Sequence, residues 1–285
     1  MTRAIEDLGE IAGGFDAIVL DQWGVLHDGT APYPGAVDAV DALAGAGHRL
    51  AVLSNSGKRA AANADRIASI GFPPGAFETV MTSGEALWRD VASGLLPFTR
   101  FHAIERAPGD AARFVEGLPV SLHDDVADAD AVLLMGLPDD AEAGARDATL
   151  DAACARGLPV LCTNPDRASP RAGGVTVASP GALAHAHAAR GGEVRFYGKP
   201  HAPVFEAVAR ALGASPERLL MVGDSLEHDV AGARDVGWST CLVRGGLHRD
   251  AFADGPVGPA LAALVAREGA PSPDFTLDTI GGRHA

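Results

Sequence analysis

The sequence predicts an α/β protein: a Rossmann-like, doubly wound parallel sheet with a second α/β unit inserted into it. Three observations carry this. Short apolar runs alternate with segments whose apolar residues recur at helical spacing. The alternation breaks off, then resumes after residue 200. The stretch between has apolar runs of its own, so residues 84–195 read as an inserted unit and 1–83 with 196–285 as the core. A chain of 285 residues is long enough for two such units.

The elements follow in order. The charged stretch "MTRAIEDLGEIAGGFDA" reads as a short N-terminal helix. "AIVL" (17–20) is a buried strand, "GAVDAVDALAGAG" (35–47) a helix, "RLAVLS" (49–54) a strand and "KRAAANADRIASIG" (58–71) a helix closed by glycine. In the insert, "RFHAIE" (100–105), "ADAVLLMG" (129–136) and "LPVLCTN" (158–164) are strands. "GDAARFVEG" and "DAEAGARDATLDAACARG" are the helices between them. The core resumes with helix "PVFEAVARALG" (203–213), strand "RLLMVGD" (218–224), helix "EHDVAGARDVG" (227–237) and strand "STCLVRGG" (239–246). Runs of apolar residues without alternation suit parallel strands buried on both faces.

Composition narrows the function classes. The chain is 47% hydrophobic and 21% charged, as soluble globular proteins are. Its net charge of −14, without a Lys/Arg cluster, argues against a nucleic-acid surface. No apolar run approaches a bilayer span and no signal-peptide pattern opens the chain, so a cytoplasmic location is expected. Cys154, Cys162 and Cys241 are too scattered for a disulfide framework or a zinc site and read as buried thiols.

Polar residues directly after apolar strands are the candidates for chemistry, because strand carboxyl ends form the ligand crevice of an open parallel sheet. They are Asp21, Ser54, Lys199 and Asp224, with Asp229 five residues on. A single aspartate at such a place is an ordinary turn or cap residue. Carboxylates, a hydroxyl and a lysine recurring there are not ordinary.

In the order "DQWG", "LSNS", "GKP" and "GDSLEHD", the chain resembles the haloacid dehalogenase-like hydrolases. "VMTSGEAL" (80–87), the "CTNPD" loop (162–166) and the long insert resemble their capped subclass IIA, which includes phosphatases of small phosphate esters. The resemblance implies a nucleophilic Asp21 forming an aspartyl-phosphate, with Ser54 and the Asn55 and Ser56 amides holding the phosphoryl group. It implies Lys199 as charge balance, and Mg²⁺ held by Asp21, Asp224 and the Trp23 carbonyl, with Asp229 either a further ligand or a residue acting from behind the ligands. Asn164 and Asp166 would select the substrate from the cap, and a homo-oligomer through that cap stays open. Lys58 and Arg59 read as a solvated helix start that can also reach an anionic substrate tail.

Trp23 departs from that pattern. The family usually places there an aspartate that protonates the leaving oxygen, and indole cannot transfer a proton. Imidazole titrates near neutrality, so His27 is one substitute; its plainer reading is a solvated turn residue in "LHDG". A route through water or substrate is another. The expected function is Mg²⁺-dependent hydrolysis of a small phosphorylated metabolite. The alternatives are a phosphate-ester sensor with little turnover and a dehalogenase, which would not need the Asp224/Asp229 pair.

Overall fold

The computed structural model describes residues 2–138, 141, 144, 146–170 and 176–282. It divides into two compact units, Met1–Ser54, Ala61–Met81 and Lys199–Ala285 in the first and Asn55–Ala60 with Thr82–Gly198 in the second.

The chain begins with β1 (Arg3–Ala4), β2 (Ala17–Leu20), β3 (Leu50–Ser54) and β4 (Thr79–Thr82). The insert adds β5 (Arg100–Ile104), β6 (Ser121–Leu122), β7 (Ala131–Leu134), β8 (Val160–Cys162), β9 (Ala168–Pro170), β10 (Thr176–Ala178) and β11 (Val194–Phe196). It ends with β12 (Leu219–Gly223), β13 (Ser239–Val243) and β14 (Phe275–Leu277).

In the first unit the described strands form a seven-stranded sheet ordered β1-β14-β13-β12-β2-β3-β4. β2 pairs parallel with both β3 and β12, which in turn pairs parallel with β13. The chain therefore leaves β2 toward β3 and returns on its other side at β12. Strand order reverses between β2 and β12, and at such a switch point the loops at the carboxyl ends diverge and leave a crevice. Asp21 and Asp224 are the first residues beyond those two strands. The register fixes their relation: Leu20 lies opposite Val222, and the Asp21 N–H donates to the Val222 carbonyl at 2.9 Å.

β2, β3 and β12 are buried throughout, which is why each reads as an unbroken apolar run. Ile18, Leu20, Val52, Leu220 and Val222 pack with Val40 and Leu43 of the helix Ala36–Gly45 and with Ile67 of the helix Ala60–Ser69. A smaller cluster of Leu226, Val230, Leu242, Leu261 and Leu264 also lies in this unit.

The second unit has its own parallel sheet, ordered β11-β8-β7-β5-β6, beside an antiparallel β9–β10 pair. Its core joins Ile104, Val132, Leu134, Val160 and Cys162 to Leu150, Ala153 and Ala184 from two helices. The segment Asn55–Ala60 packs here through its backbone. The Gly84 N–H donates to the Ser56 carbonyl at 3.1 Å, and a Cβ on Gly57 would lie 2.7 Å from Thr163 Oγ1.

Four details differ from the sequence reading. The N-terminus is partly a strand, because Arg3–Ala4 finds an open edge on β14 and pairs with Phe275 and Thr276; the helix is only Gly9–Ala12. The segment after Asp224 is a π-helical turn, Leu226–Ala231, before the short α-helix Gly232–Asp235. Cys154 is exposed, since its helix turns Leu150 and Ala153 inward; Cys162 and Cys241 are buried as expected. The helix expected over 140–157 is seen as Asp147–Ala155, and part of its start lies outside the described residues. Among the described residues, no helix is long and apolar enough to cross a membrane.

Candidate active site

Five of the residues singled out in the sequence, Asp21, Ser54, Lys199, Asp224 and Asp229, belong to the first unit. Asp21 follows β2, Ser54 ends β3, and Asp224 follows β12. Asp229 comes from the π-helical turn, whose extra residue per turn lets the Asp229 and Val230 N–H groups share the Ser225 carbonyl, both at 3.1 Å. The Ser225 side chain caps the turn by accepting from the His228 N–H.

Lys199 ties the cluster together. Its Nζ lies 2.7 Å from Asp21 Oδ1 and 2.6 Å from Asp229 Oδ1, with the lysine side chain 3% and Asp229 1% exposed. Asp229 Oδ2 accepts the Ser225 N–H at 3.0 Å, so both its oxygens are engaged. Asp224 Oδ2 accepts the Leu247 N–H at 2.7 Å. One oxygen from each of Asp21, Asp224 and Asp229 falls within 4.8 Å of the others.

These contacts set the protonation states. Burial pushes the Asp21 carboxyl up to about 6, Lys199 drawing it down and Asp229 pushing it further up. Burial, with the charges of Asp21 and Asp229, pushes Asp224 up to about 8, the Leu247 N–H working against it. Burial also works against the Lys199 ammonium, but Asp21 and Asp229 outweigh it and hold the lysine above its ordinary range. Three carboxylates against one ammonium leave negative charge uncompensated in a buried place, and a cation removes that conflict. Clustered carboxylate oxygens are the hard donors that a hard divalent cation takes. The residues present fit such an ion.

Glycines make room for the carboxylates. A Cβ on Gly24 would sit 1.6 Å from Asp224 Oδ2, and one on Gly246 would sit 2.4 Å from the same oxygen. On Gly223 it would fall 2.0 Å from the Asp229 carboxyl carbon. Gly24, with φ +78°, also adopts a conformation that side chains resist. The Leu247 N–H and the Gly246 approach are main-chain features and leave no residue-type signature. The glycine pair closing "STCLVRGG" at the end of β13 was the available signal.

Trp23 and His27 take unexpected places. His27 is fully buried, not a solvated turn residue. Its Nδ1 accepts the Gly29 N–H at 3.0 Å, which places the proton on Nε2, 3.4 Å from Gln22 Oε1. Gln22 in turn donates to Asn63 Oδ1 at 2.5 Å. Burial, aided by Arg66, pulls the His27 imidazole down to about 4, so it is neutral at pH 7. Trp23 is 45% exposed, its ring edge-on to His27 with centroids 5.8 Å apart.

Asn55, Ser56, Asn164 and Asp166 belong to the second unit. There Asn55 Nδ2 donates to Asp166 Oδ1 at 2.7 Å, and Asn164 Oδ1 accepts the Asp166 N–H at 2.8 Å. Lys58 is exposed, as a solvated helix start would be, while Arg59 is half-buried: it bonds Glu85 at 2.7 Å and stacks 3.8 Å over the Trp88 ring.

Known proteins resemble this chain in sequence and fold. A family model described as haloacid dehalogenase-like hydrolase matches residues 18–96, and one described as HAD-hydrolase-like matches 196–277. Rat chronophin is 30% identical over 84% of this chain and 80% of its own length. Chicken glycerol-3-phosphate phosphatase is 28% identical over 95% of this chain and 91% of its own. Dihydroxyacetone phosphatase of Corynebacterium glutamicum is 36% identical, but over only 33% of this chain and 34% of its own length. A haloacid dehalogenase-like hydrolase of Brucella suis superposes with a TM-score of 0.76 at 27% identity, covering 96% of this chain and 98% of that one.

Proposed function

The chain belongs to the haloacid dehalogenase-like hydrolase family, in its capped phosphatase subclass IIA, and on that premise we propose a Mg²⁺-dependent reaction through Asp21. It is a phosphatase-type hydrolase of small phosphate esters, the class named by its relatives. The observation that carries the mechanism is the buried Lys199 bridge between Asp21 and Asp229.

An Asp21 carboxylate oxygen attacks phosphorus; the new oxygen–phosphorus bond forms as the bond to the leaving oxygen breaks. Water then hydrolyses the aspartyl-phosphate, splitting one slow hydrolysis into two easier steps. Lys199 keeps Asp21 ionised and offsets charge on the transferring group, while Asp229 holds Lys199 in place. Ser54, Asn55 and Ser56 are assigned to the phosphoryl oxygens, and Asn164 and Asp166 to substrate selection. Asp21, Asp224, Asp229 and the Trp23 carbonyl would hold Mg²⁺. When bound, the ion supplies positive charge that lets these carboxylates and a phosphate share one site.

Neither Trp23 nor His27 donates the leaving-group proton. Indole has no proton to transfer at neutral pH, and His27 is neutral with both ring nitrogens engaged.

Phosphate release from a panel of esters, with and without Mg²⁺, tests the reading. Wild type with Mg²⁺ should turn over, while Asp21→Asn should still bind phosphate but not turn over. Undiminished turnover by pure, metal-replete Asp21→Asn would overturn the mechanism.

A further inference from the structure

The chain leaves the first unit after Ser54 and re-enters it for the last time at Lys199. Ser54 is peptide-bonded to Asn55 and Lys199 to Gly198, and both of those neighbours belong to the second unit. Within that unit, Asn55 and Gly198 rest on one and the same loop, the "CTNPD" stretch 162–166 at the end of β8.

The segment after Ser54 meets the loop at Thr163 and Asp166. Asn55 Nδ2 donates to Asp166 Oδ1, and Gly57 comes too close to Thr163 to carry a side chain. The segment before Lys199 meets the loop at Cys162 and Pro165. The Tyr197 N–H donates to the Cys162 carbonyl at 2.9 Å. Gly198 follows at φ +125°, and a Cβ there would fall 2.4 Å from Pro165 Cδ, so only glycine suits both the conformation and the approach.

The loop is itself fixed. The Asp166 N–H closes a turn onto Asn164 Oδ1, and Cys162 Sγ donates to the Asn164 carbonyl at 3.1 Å. The Pro165 carbonyl accepts from His185 Nε2 at 3.2 Å, and the imidazole stacks on Phe196 with centroids 4.5 Å apart. Gly181 lies under the same carbonyl, where a Cβ would come within 2.0 Å of the oxygen. A loop held this firmly can in turn hold the segments that rest on it.

We propose that Asp166 is a positioning residue: through its bond to Asn55 it fixes the main chain that follows Ser54, as Pro165 fixes the main chain that precedes Lys199. This rests on the hydrolase reading above, in which Ser54 and Lys199 serve the transferring phosphoryl group. To the selection assigned to Asp166 it adds an effect common to every ester.

A double-mutant cycle tests it, with kcat and KM measured on phenyl phosphate and on glycerol 3-phosphate. Asn55→Ala and Asp166→Ala should each lower kcat about tenfold or more, since small misplacements of reacting groups cost up to about a hundredfold. The factor should be the same for both esters, with KM moving less. The double variant should lose no more than the worse single one, because each change breaks the same bond. Asp166→Asn still offers Asn55 an acceptor and should keep most of kcat. Thermal melting checks that each variant is folded, and Asp166→Ser takes the place of Asp166→Ala if the latter is not. A pure selection role would instead shift the ratio between the two esters in Asp166→Ala, with no matching loss in Asn55→Ala.

Calorimetry with inorganic phosphate in Mg²⁺ reads the same cycle without turnover. A protein that hydrolyses neither ester, yet loses phosphate affinity equally in both single variants and the double, would sink the hydrolase reading and keep the positioning role. A protein that hydrolyses both, with losses that multiply in the double variant or with full kcat in Asp166→Ala, would overturn the positioning role and keep the hydrolase.

Discussion

Lys199 and Asp229 are joined at 2.6 Å, Nζ to Oδ1, with both side chains almost sealed from solvent. A buried ammonium survives only where carboxylates face it, and here Asp21 is the second.

Removing the ammonium should therefore cost more than activity. Lys199→Met leaves Asp21 and Asp229 without their buried partner, a defect of about 3–5 kcal/mol in comparable pairs. Urea denaturation in EDTA should show the loss, and saturating Mg²⁺ should recover part of it. Unchanged stability in EDTA would mean that the bridge is not what holds the cluster together.

Stability should also fall as pH rises, in a defined window. Asp224 has its folded pKa raised from 3.8 to about 8, so the folded state binds more protons than the unfolded chain between those values. Stability then declines with rising pH and levels off above about 8. His27, with its folded pKa lowered to about 4, acts oppositely, but its contribution is essentially complete above about pH 7. In metal-free protein the melting temperature should drop from pH 7 to 8, and Asp224→Asn should flatten the slope. The Mg²⁺-induced rise in melting temperature should be larger at pH 8 than at pH 6, because the ion displaces protons.

Leaving-group chemistry should expose the missing proton donor. Across phosphate esters of graded leaving-group pKa, wild-type kcat/KM should fall steeply as the leaving oxygen becomes more basic. Trp23→Asp should flatten that dependence and raise turnover of alkyl esters, by at most the 10²–10⁴-fold typical of general acid catalysis. A shallow wild-type dependence would show that some other group supplies the proton.

His27→Ala should behave as a packing mutant. It opens a cavity and strips the Gly29 N–H and Gln22 of a partner, an expected cost of about 2–3 kcal/mol. The leaving-group slope should stay steep, because no proton donor has been lost. A selective loss on poor leaving groups would instead make His27 the acid.

The parallel sheet was legible because strands buried on both faces must be apolar throughout, as β2, β3 and β12 are. The strand-end positions of Asp21, Ser54 and Asp224 were legible because a polar residue ending such a run changes environment abruptly. What escaped was carried by main chain or tertiary context. The Leu247 N–H on Asp224 has no residue type to announce it. "LHDG" looks like a solvated turn, but Gln22 and the Gly29 N–H satisfy both imidazole nitrogens and let His27 be buried. Arg3–Ala4 became a strand because distant β14 offered it an edge, which no local pattern encodes.

The glycines around Asp224 and Asp229 have a consequence for anyone who would retrain this enzyme. Trp23 and Leu247 are exposed and open to substitution, yet each adjoins a glycine, Gly24 or Gly246, whose missing side chain the carboxylate already occupies. Varying 23 and 247 leaves the carboxylates where they are; extending the library one residue inward, or to Gly223, drives a side chain into Asp224 or Asp229. A screen built on blocks of consecutive codons would therefore carry these glycines along and lose clones to a displaced Asp224 or Asp229 carboxylate.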